Sequence, residues 1–409
     1  MQKKRIWIVT ELFHPEETAV AFIFTRIANY LSNDYDVCVI CGPEFYDNNK
    51  VGFKDDYPIS NKITVYRAKT LSLDKNSLIQ RTFKVIVLSL QMGLMIIRKT
   101  SKGEVVLLAT NPAPLLFLTG LIKKWKKIQL HILVHDVFPE NTIPAQIFKN
   151  DKSIIYKLLK LIFDKAYARA DHLIAIGRDM KEVLTDKTKR FNQNPSISVV
   201  PNWSCLAVRK PNINKQSLQS RNENQDKVVF QYSGNIGRVQ GLDTVINAFI
   251  ASDNPNIHLK IRGTGALYSF IEKMITSKDL KNVSLLGSYS RDEESEVLSN
   301  CDISIVSLSK GMFGLGVPSK TYNLLSVGKP ILFIGHQNSE ISLLVNEFNI
   351  GWSVDIENKN ELIIFFKSIK IKNRNEFLII GQRARLLAEN QFEEKNILNL
   401  FQKQMGKHF

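Results

Sequence analysis

Cysteine is scarce: four residues in 409 are too few to brace a chain of this length with disulfides. Cys38 and Cys41 form a C-x-x-C, but they lie inside the apolar run DVCVIC, which reads as a buried strand. No second pair completes a zinc site, and no helix start follows the first cysteine to support redox chemistry. Long hydrophobic runs are missing too. Without a stretch of about 20 apolar residues, no segment is expected to span a bilayer. The start, MQKKRIWIVTELF, turns from basic to strand-like without the apolar stretch and cleavage site of a secretion signal. Together these absences point to the reducing cytosol. The one D-x-D, Asp34-Tyr35-Asp36, precedes a strand in a turn and reads as solvated punctuation, not as a manganese site.

Acidic charge is short relative to basic, with a net charge of +16. The excess is uneven: residues 1–200 hold 30 Lys and Arg against 19 Asp and Glu, the remainder 25 against 20. A biased composition explains part of this. The asymmetry still points to an anionic partner for the first half, a membrane or a phosphate-bearing substrate before nucleic acid. Residues 83–97, FKVIVLSLQMGLMII, are apolar nearly all round and flanked by Arg81, Lys84, Arg98 and Lys99. As a helix they reach about 22 Å, too short to span, so they either pack on a sheet or lie in an interface. The run LIKKWKKI (121–128) sets Trp125 among four lysines, an arrangement suited to headgroups or to an ordinary solvated helix end.

The chain is long for one core, and its pattern divides. Short β-rich runs alternate with helical segments, which predicts α/β architecture with parallel sheets. Strands are expected at 5–10, 36–41, 63–68, 104–110, 130–136, 172–177 and 197–202, with helices at 19–33, 76–99, 113–124, 151–170 and 178–186 between them. A polar stretch over 204–226 breaks the alternation, which restarts at 228–234, 257–263, 283–288, 303–309, 330–335 and 351–355. Two Rossmann-like domains are therefore expected, over 1–205 and 206–384. A last helix over roughly 376–405 is expected to dock on both lobes, with 385–409 packing back toward the first domain.

Two loops carry the strongest chemical signals. In YSGNIGRVQGLD (232–243) a strand ends at Gly234, and a Gly-containing turn leads into a helix with an apolar face. Such a turn lets backbone N–H groups and a helix start approach a phosphate, with Arg238 placed to pair with it. In KGMFGLGVPSKTYNLLSVGKP (310–330), Gly311, Gly314 and Gly316 make a second loop, and Pro318 and Ser319 suit a helix start and cap. Lys320 falls in that first turn, where a cation is disfavoured unless an anion joins it. A pyrophosphate between the two junctions would satisfy both.

These pieces resemble a family 4 (group 1) retaining glycosyltransferase of the GT-B fold, two Rossmann-like domains facing across a cleft. Within it the chain is similar to bacterial surface-polysaccharide enzymes of the colanic-acid and fucosamine-transferase type. The resemblance runs through TELFHPE, TNPAPLLFLTGL, VHDVFPE, ARADHLIAIGRDMKEVL, ISVVPNWS, SGNIGRVQGLDTVINAF, IRGTGAL, NCDISIVSLSKG and VPSKTYNLLSVGKPIL. It implies a UDP-sugar donor in the second lobe. Ser319, Lys320, Arg238 and the turn Gly234, Asn235, Gly237 would meet the diphosphate, and Gly263 and Gly265 the base. Gln240 replaces a residue that is often basic. Asn323 stands where many members place a ribose-binding Glu, and Leu315 where the upstream Glu would be; N–H groups of the 311–316 loop, Gly314 and Gly316 included, would take over sugar contacts. The first lobe would hold the acceptor, a lipid-linked saccharide at the cytoplasmic membrane surface. There His135 and Asp136 would position the donor sugar, and Glu16, Glu17 and Thr18 would shape acceptor choice. No cofactor and no nucleic acid are implied. Retention implies attack on the face that the diphosphate leaves, one of its oxygens taking the acceptor proton. Two other readings use the same fold: a UDP-sugar epimerase, and a nucleotide-sugar-binding protein without catalysis.

Overall fold

A computed structural model of the chain describes residues 3–16, 18–44, 58–69, 78–206 and 226–407. The polar stretch after Leu206 falls outside the described residues up to 225. Two compact units are present. The first comprises Met1–Glu140, Asn150–Val200 and Leu398–Phe409, and the second Asn141–Lys149 and Pro201–Ile397.

The first unit is built on a seven-stranded sheet in the order β3-β2-β1-β4-β5-β6-β7. Its strands are β1 (Arg5–Thr10), β2 (Asp36–Cys41), β3 (Thr64–Arg67), β4 (Val105–Ala109), β5 (Gln129–Val134), β6 (His172–Ala175) and β7 (Ser196–Val199). Every pairing is parallel. Central strands such as VVLLA are buried residue after residue, as expected of strands covered on both faces. The crossovers are α1 (Ala19–Leu31), α2 (Leu78–Lys99), α3 (Ala113–Lys126), α4 (Ile154–Ala168) and α5 (Arg178–Thr188). The apolar run at 83–97 resolves into two faces of α2. Leu88, Met92 and Ile96 are buried at helical spacing, while Phe83, Ile86, Leu90 and Leu94 are exposed.

The second unit holds a six-stranded parallel sheet in the order β10-β9-β8-β11-β12-β13. Its strands are β8 (Val228–Ser233), β9 (Ile257–Arg262), β10 (Val283–Leu286), β11 (Ile303–Ser307), β12 (Ile331–Gly335) and β13 (Gly351–Asp355). Between them run α6 (Leu242–Ala251), α7 (Tyr268–Ser277), α8 (Glu294–Ser299), α9 (Lys320–Ser326), α10 (Glu340–Phe348) and α11 (Lys359–Ser368). Phe230, Phe249 and Phe366 meet edge to face at the centre of its core.

The single final helix expected over 376–405 is two helices, α12 (Arg374–Gln391) and α13 (Glu394–Gly406). They break at Phe392, which is buried against Tyr322 at 5.1 Å between ring centroids. Seating that ring takes the place of one more helical turn. Beyond the break, α13 is fixed to the first sheet's unit: Met405 Sδ lies 3.2 Å from His131 Nδ1, and Gln402 donates to Asp34 at 2.8 Å.

Strand order reverses between β1 and β4 in the first sheet and between β8 and β11 in the second. Each reversal opens a crevice beyond the carboxyl ends of the two strands, the usual ligand position in open α/β sheets. The motifs TELFHPE and TNPAPLLFLTGL follow β1 and β4, and SGNIGRVQGLD and KGMFGLGVPSK follow β8 and β11, at these two places.

Candidate active site

In the second unit, the turn after β8 and the loop after β11 are in direct contact: Ser309 N–H donates to Val239 O at 2.8 Å. The turn after β9 joins them through Ile236 N–H to Thr264 O, 2.8 Å, and Leu267 N–H to Ile236 O, 3.0 Å. Gly263 is required by this junction. A Cβ there would stand 1.8 Å from Gly234 O, and one at Gly265 would stand 2.4 Å from Ile236 O. Both glycines, expected beside a base, thus serve first to let two backbones meet.

The turn itself is partly self-satisfied. Gly234 N–H donates to Arg262 O, and Gly237 N–H to Gln240 Oε1 at 3.1 Å. With Ile236 also engaged, three N–H groups expected to face a phosphate are used within the unit. Asn235 accepts at its carbonyl from Tyr232 Oη, 2.7 Å, which stiffens the turn. Arg238 differs: its side chain is exposed, with no hydrogen-bond or ion-pair partner among the described residues. Charge for an anion at this turn therefore comes from Arg238 more than from the backbone.

On the β11 side, Ser319 has a helical backbone and makes no capping hydrogen bond. Its role as the cap of α9 is not realised. Leu315 buries its side chain, and its N–H donates to Met312 O, so it offers neither group to a ligand. Gly314 is buried and Gly316 partly so. Lys320 Nζ reaches Tyr289 Oη at 2.6 Å and Glu294 Oε1 at 3.5 Å. Glu294, which sequence reasoning passed over, is thus an internal anion at the start of α9. It also accepts from Asn323 Nδ2 at 3.1 Å. Asn323 is buried, and its Oδ1 accepts from Cys205 N–H at 2.8 Å and Ser204 Oγ at 3.2 Å. Expected to meet a ribose, Asn323 instead ties α9 to α8 and to residues 204–205. Buried oxygens without a hydrogen-bond partner among the described residues lie close by in sequence: Ser307 Oγ, Ser309 Oγ and Thr321 Oγ1. Such orphans mark a place where a ligand or water supplies the missing partner.

In the first unit, His135 and Asp136 follow β5. Their N–H groups lie 3.4 Å from Thr110 Oγ1, and the Asp136 carboxylate takes a hydrogen bond from Asn111. Burial raises the Asp136 carboxyl against that bond and lowers the His135 imidazole to about 4. His135 Nε2 is buried without a partner among the described residues. Beside them stands Glu11, on the loop after β1, its N–H donating to Asn111 O at 3.2 Å. Burial pushes its carboxyl up to about 7, with Lys84 opposing, and Oε1 has no hydrogen-bond partner among the described residues. The sequence gives no local sign of this; the burial comes from distant elements. Of the proposed acceptor residues, Thr18 caps α1, accepting from Ala21 N–H at 3.2 Å. Glu16 lies in the same loop, and Glu17 lies outside the described residues. The D-x-D falls at the amino edge of β2, where Asp36 pairs with Arg5 at 2.7 Å and Asp34 with Gln402.

Comparison with known proteins decides the family. Residues 214–364 match the model of "Glycosyl transferases group 1". The chain is 30% identical over 351 residues, 85% of each chain, to the "Probable glycosyltransferase WbjE" of Pseudomonas aeruginosa. The chain belongs to the group 1 glycosyltransferases. A second relative of this transferase is WcaI of Escherichia coli K12, named for colanic acid biosynthesis, 26% identical over 235 residues and 56% of each chain. Among solved structures, Anabaena HepE in complex with UDP-glucose superposes with a TM-score of 0.69 at 13% identity, over 98% of this chain and 99% of that one. The fold is accordingly GT-B, and the enzyme is a glycosyltransferase.

Proposed function

We propose that this transferase moves a hexose or an N-acetylated aminosugar, deoxy forms included, from a UDP-sugar to a lipid-diphosphate-linked saccharide in bacterial surface-polysaccharide synthesis. The observation that carries the donor half is the contact between the β8 and β11 loops. That contact seats Ser309, whose hydroxyl is buried without a hydrogen-bond partner among the described residues, against Val239, the neighbour of the exposed Arg238, and Lys320 starts the helix that ends the same loop. A diphosphate fits this set by charge and by hydrogen-bond demand. The likeness to a UDP-glucose complex and to polysaccharide enzymes supports the same reading.

In the proposed reaction the acceptor oxygen bonds to the anomeric carbon while the bond from that carbon to the diphosphate breaks. UDP departs from the same face and takes the acceptor proton on its oxygen, so configuration is retained. Charge growing on the leaving diphosphate is stabilised by Arg238 and Lys320, which makes the step metal-independent. His135, a neutral imidazole at pH 7, and Asp136 bind sugar hydroxyls. The acceptor's lipid carrier calls for a membrane. The exposed apolar residues of α2, with the basic first half of the chain, support peripheral contact with the inner face of the cytoplasmic membrane. Among the described residues no helix is long and apolar enough to cross one.

Incubation of the purified chain with a panel of UDP-sugars and a lipid-diphosphate saccharide tests the proposal. A lengthened saccharide and released UDP are expected. An interconverted donor without acceptor turnover would replace transfer with epimerisation, and UDP binding without either product would leave a binding protein.

A further inference from the structure

Between the carboxyl-terminal ends of α3 and α4 and residues 190–193 lies a cavity of about 650 Å³. Lys123, Lys124, Lys165, Arg169 and Arg190 line it, with no carboxylate in its wall. Topology separates it from the site above. The helices α3 and α4 end where the chain turns back into β5 and β6, so the cavity lies at the amino edge of the first sheet. His135, Asp136 and Glu11 lie at the carboxyl edge.

Cations at helix ends often do no more than offset the helix dipole. Lys123 fits that description: its Nζ donates to Arg169 O at 2.7 Å and pairs with Asp171 at 2.8 Å. Arg190 is held by the buried Asp164, which also binds Lys187. The others are not accounted for this way. Lys124 and Lys165 are exposed with no ion pair among the described residues. Arg169 is partly buried, and its Nη1 is sealed from solvent without a hydrogen-bond partner among the described residues. Gly120 leaves room for it; a Cβ there would come within 3.3 Å of Arg169 Cδ. A cavity walled by cations, one of them an arginine with a guanidinium nitrogen that has no hydrogen-bond partner among the described residues, suits an anion with oxygen acceptors.

The surroundings name the source of that anion. On α4, Ile154, Leu158 and Leu161 share one face with Lys165 by helical spacing, and all three apolar chains are exposed, Ile154 at 84%. On α3, Leu121 and Trp125 flank Lys124, Trp125 at 69% exposure. Across α2, α3 and α4 the one carboxylate is Asp164, buried under cations. Apolar chains that end at a cationic cavity match the cross-section of a bilayer surface, with acyl chains beneath phosphates.

We infer that this cavity binds the phosphate of an anionic phospholipid and fixes the transferase on the bilayer in one orientation. The inference rests on the membrane contact proposed above and adds the place of headgroup capture. Co-sedimentation of the full chain with phosphatidylcholine vesicles, with and without phosphatidylglycerol, tests it. Wild type should bind the anionic vesicles. The variant Lys124→Glu/Lys165→Glu should lose affinity by about thirtyfold or more. Lys273→Glu/Lys278→Glu, an equal charge change on α7 and its end, should stay within about twofold, and circular dichroism should show both variants folded. Equal losses in the two variants would overturn the cavity while leaving membrane contact intact. Absence of wild-type binding to any vesicle would overturn both. If glycerol 3-phosphate or inorganic phosphate displaces the protein from vesicles at micromolar concentration, the cavity is a site for a free anion, and the lipid assignment fails.

Discussion

Replacing Glu11 by Gln should make the first unit more stable at neutral and alkaline pH and should uncover a pH dependence that the parent hides. Glu11 titrates near 7 in the folded chain, against 4.5 for an ordinary carboxyl. At about 1.4 kcal/mol per pH unit, holding it ionised in the fold costs about 3 kcal/mol above pH 7. The sign is fixed by proton count. Between 4.5 and 7 the folded state keeps a proton that the unfolded chain has released, so stability falls as pH rises. His135 does the reverse. Its folded value of about 4 lies below the ordinary 6.5, so between those limits the unfolded chain holds a proton that the fold refuses. Stability from His135 therefore rises with pH over that window. The two slopes oppose each other from about 4.5 to 6.5 and largely cancel. Denaturation followed by hydrogen exchange on β1 and β4 peptides, which reads the first unit alone, measures this. The difference between Glu11→Gln and parent should be near zero below pH 4.5 and reach about 3 kcal/mol by pH 8, and the variant should gain stability from pH 4 to 6.5. A difference that does not change with pH would refute the burial of an ionisable Glu11.

Arg238→Ala should weaken UDP binding by tenfold to a hundredfold, as expected for a charged hydrogen bond contributing about 1.5–3 kcal/mol, with the unfolding midpoint unchanged because Arg238 has no partner among the described residues. Lys320→Ala should weaken UDP binding similarly, and calorimetric titration should detect both; in addition it should destabilise the second unit, because Glu294 then loses its cation. Gly263→Ala should cost more than about 2 kcal/mol in urea unfolding and depress UDP binding, since its Cβ would collide with Gly234 O. Gly311→Ala, with open space around its Cβ and φ of 84°, should cost only about 1–2 kcal/mol. Vesicle association should fall steeply between about 50 and 500 mM salt if lysines on the first unit mediate it; a salt-independent result would assign it to the apolar side chains of α2 and α4.

Much of the architecture was legible because parallel strands covered on both faces leave continuous apolar runs. Every expected strand formed, with ends shifted by up to three residues where the chain turns into a loop, as at His135 and Asp136 after β5. Helix starts were less readable: the cap expected at Ser319 did not form, while Thr18, read only for acceptor choice, caps α1. What failed to show depends on partners far away in sequence. The break at Phe392 follows from Tyr322, 70 positions earlier. Glu11 looks like any loop carboxylate until the fold buries it. Glu294 sits in the run DEESE, where nothing local separates a buried acid from four solvated neighbours.

Lys320 shows how a sound physical rule can point to an incomplete answer. A cation in the first turn of a helix opposes the helix dipole, which demands an anion nearby. The anion inferred was a ligand's diphosphate; the one present is Glu294, 3.5 Å away and itself held by Asn323. The two answers are compatible if Glu294 is a placeholder for the ligand's charge. At 3.5 Å the pair is loose beside the 2.6 Å bond from Lys320 to Tyr289, so Lys320 keeps donor capacity for an incoming phosphate. Glu294 then holds the lysine charged and aimed before substrate arrives. It follows that Glu294→Gln should leave the pocket's shape intact yet release Lys320 from its second anchor. Donor affinity should change little while turnover falls, because the cation is then less well placed for the charge that grows on the leaving diphosphate.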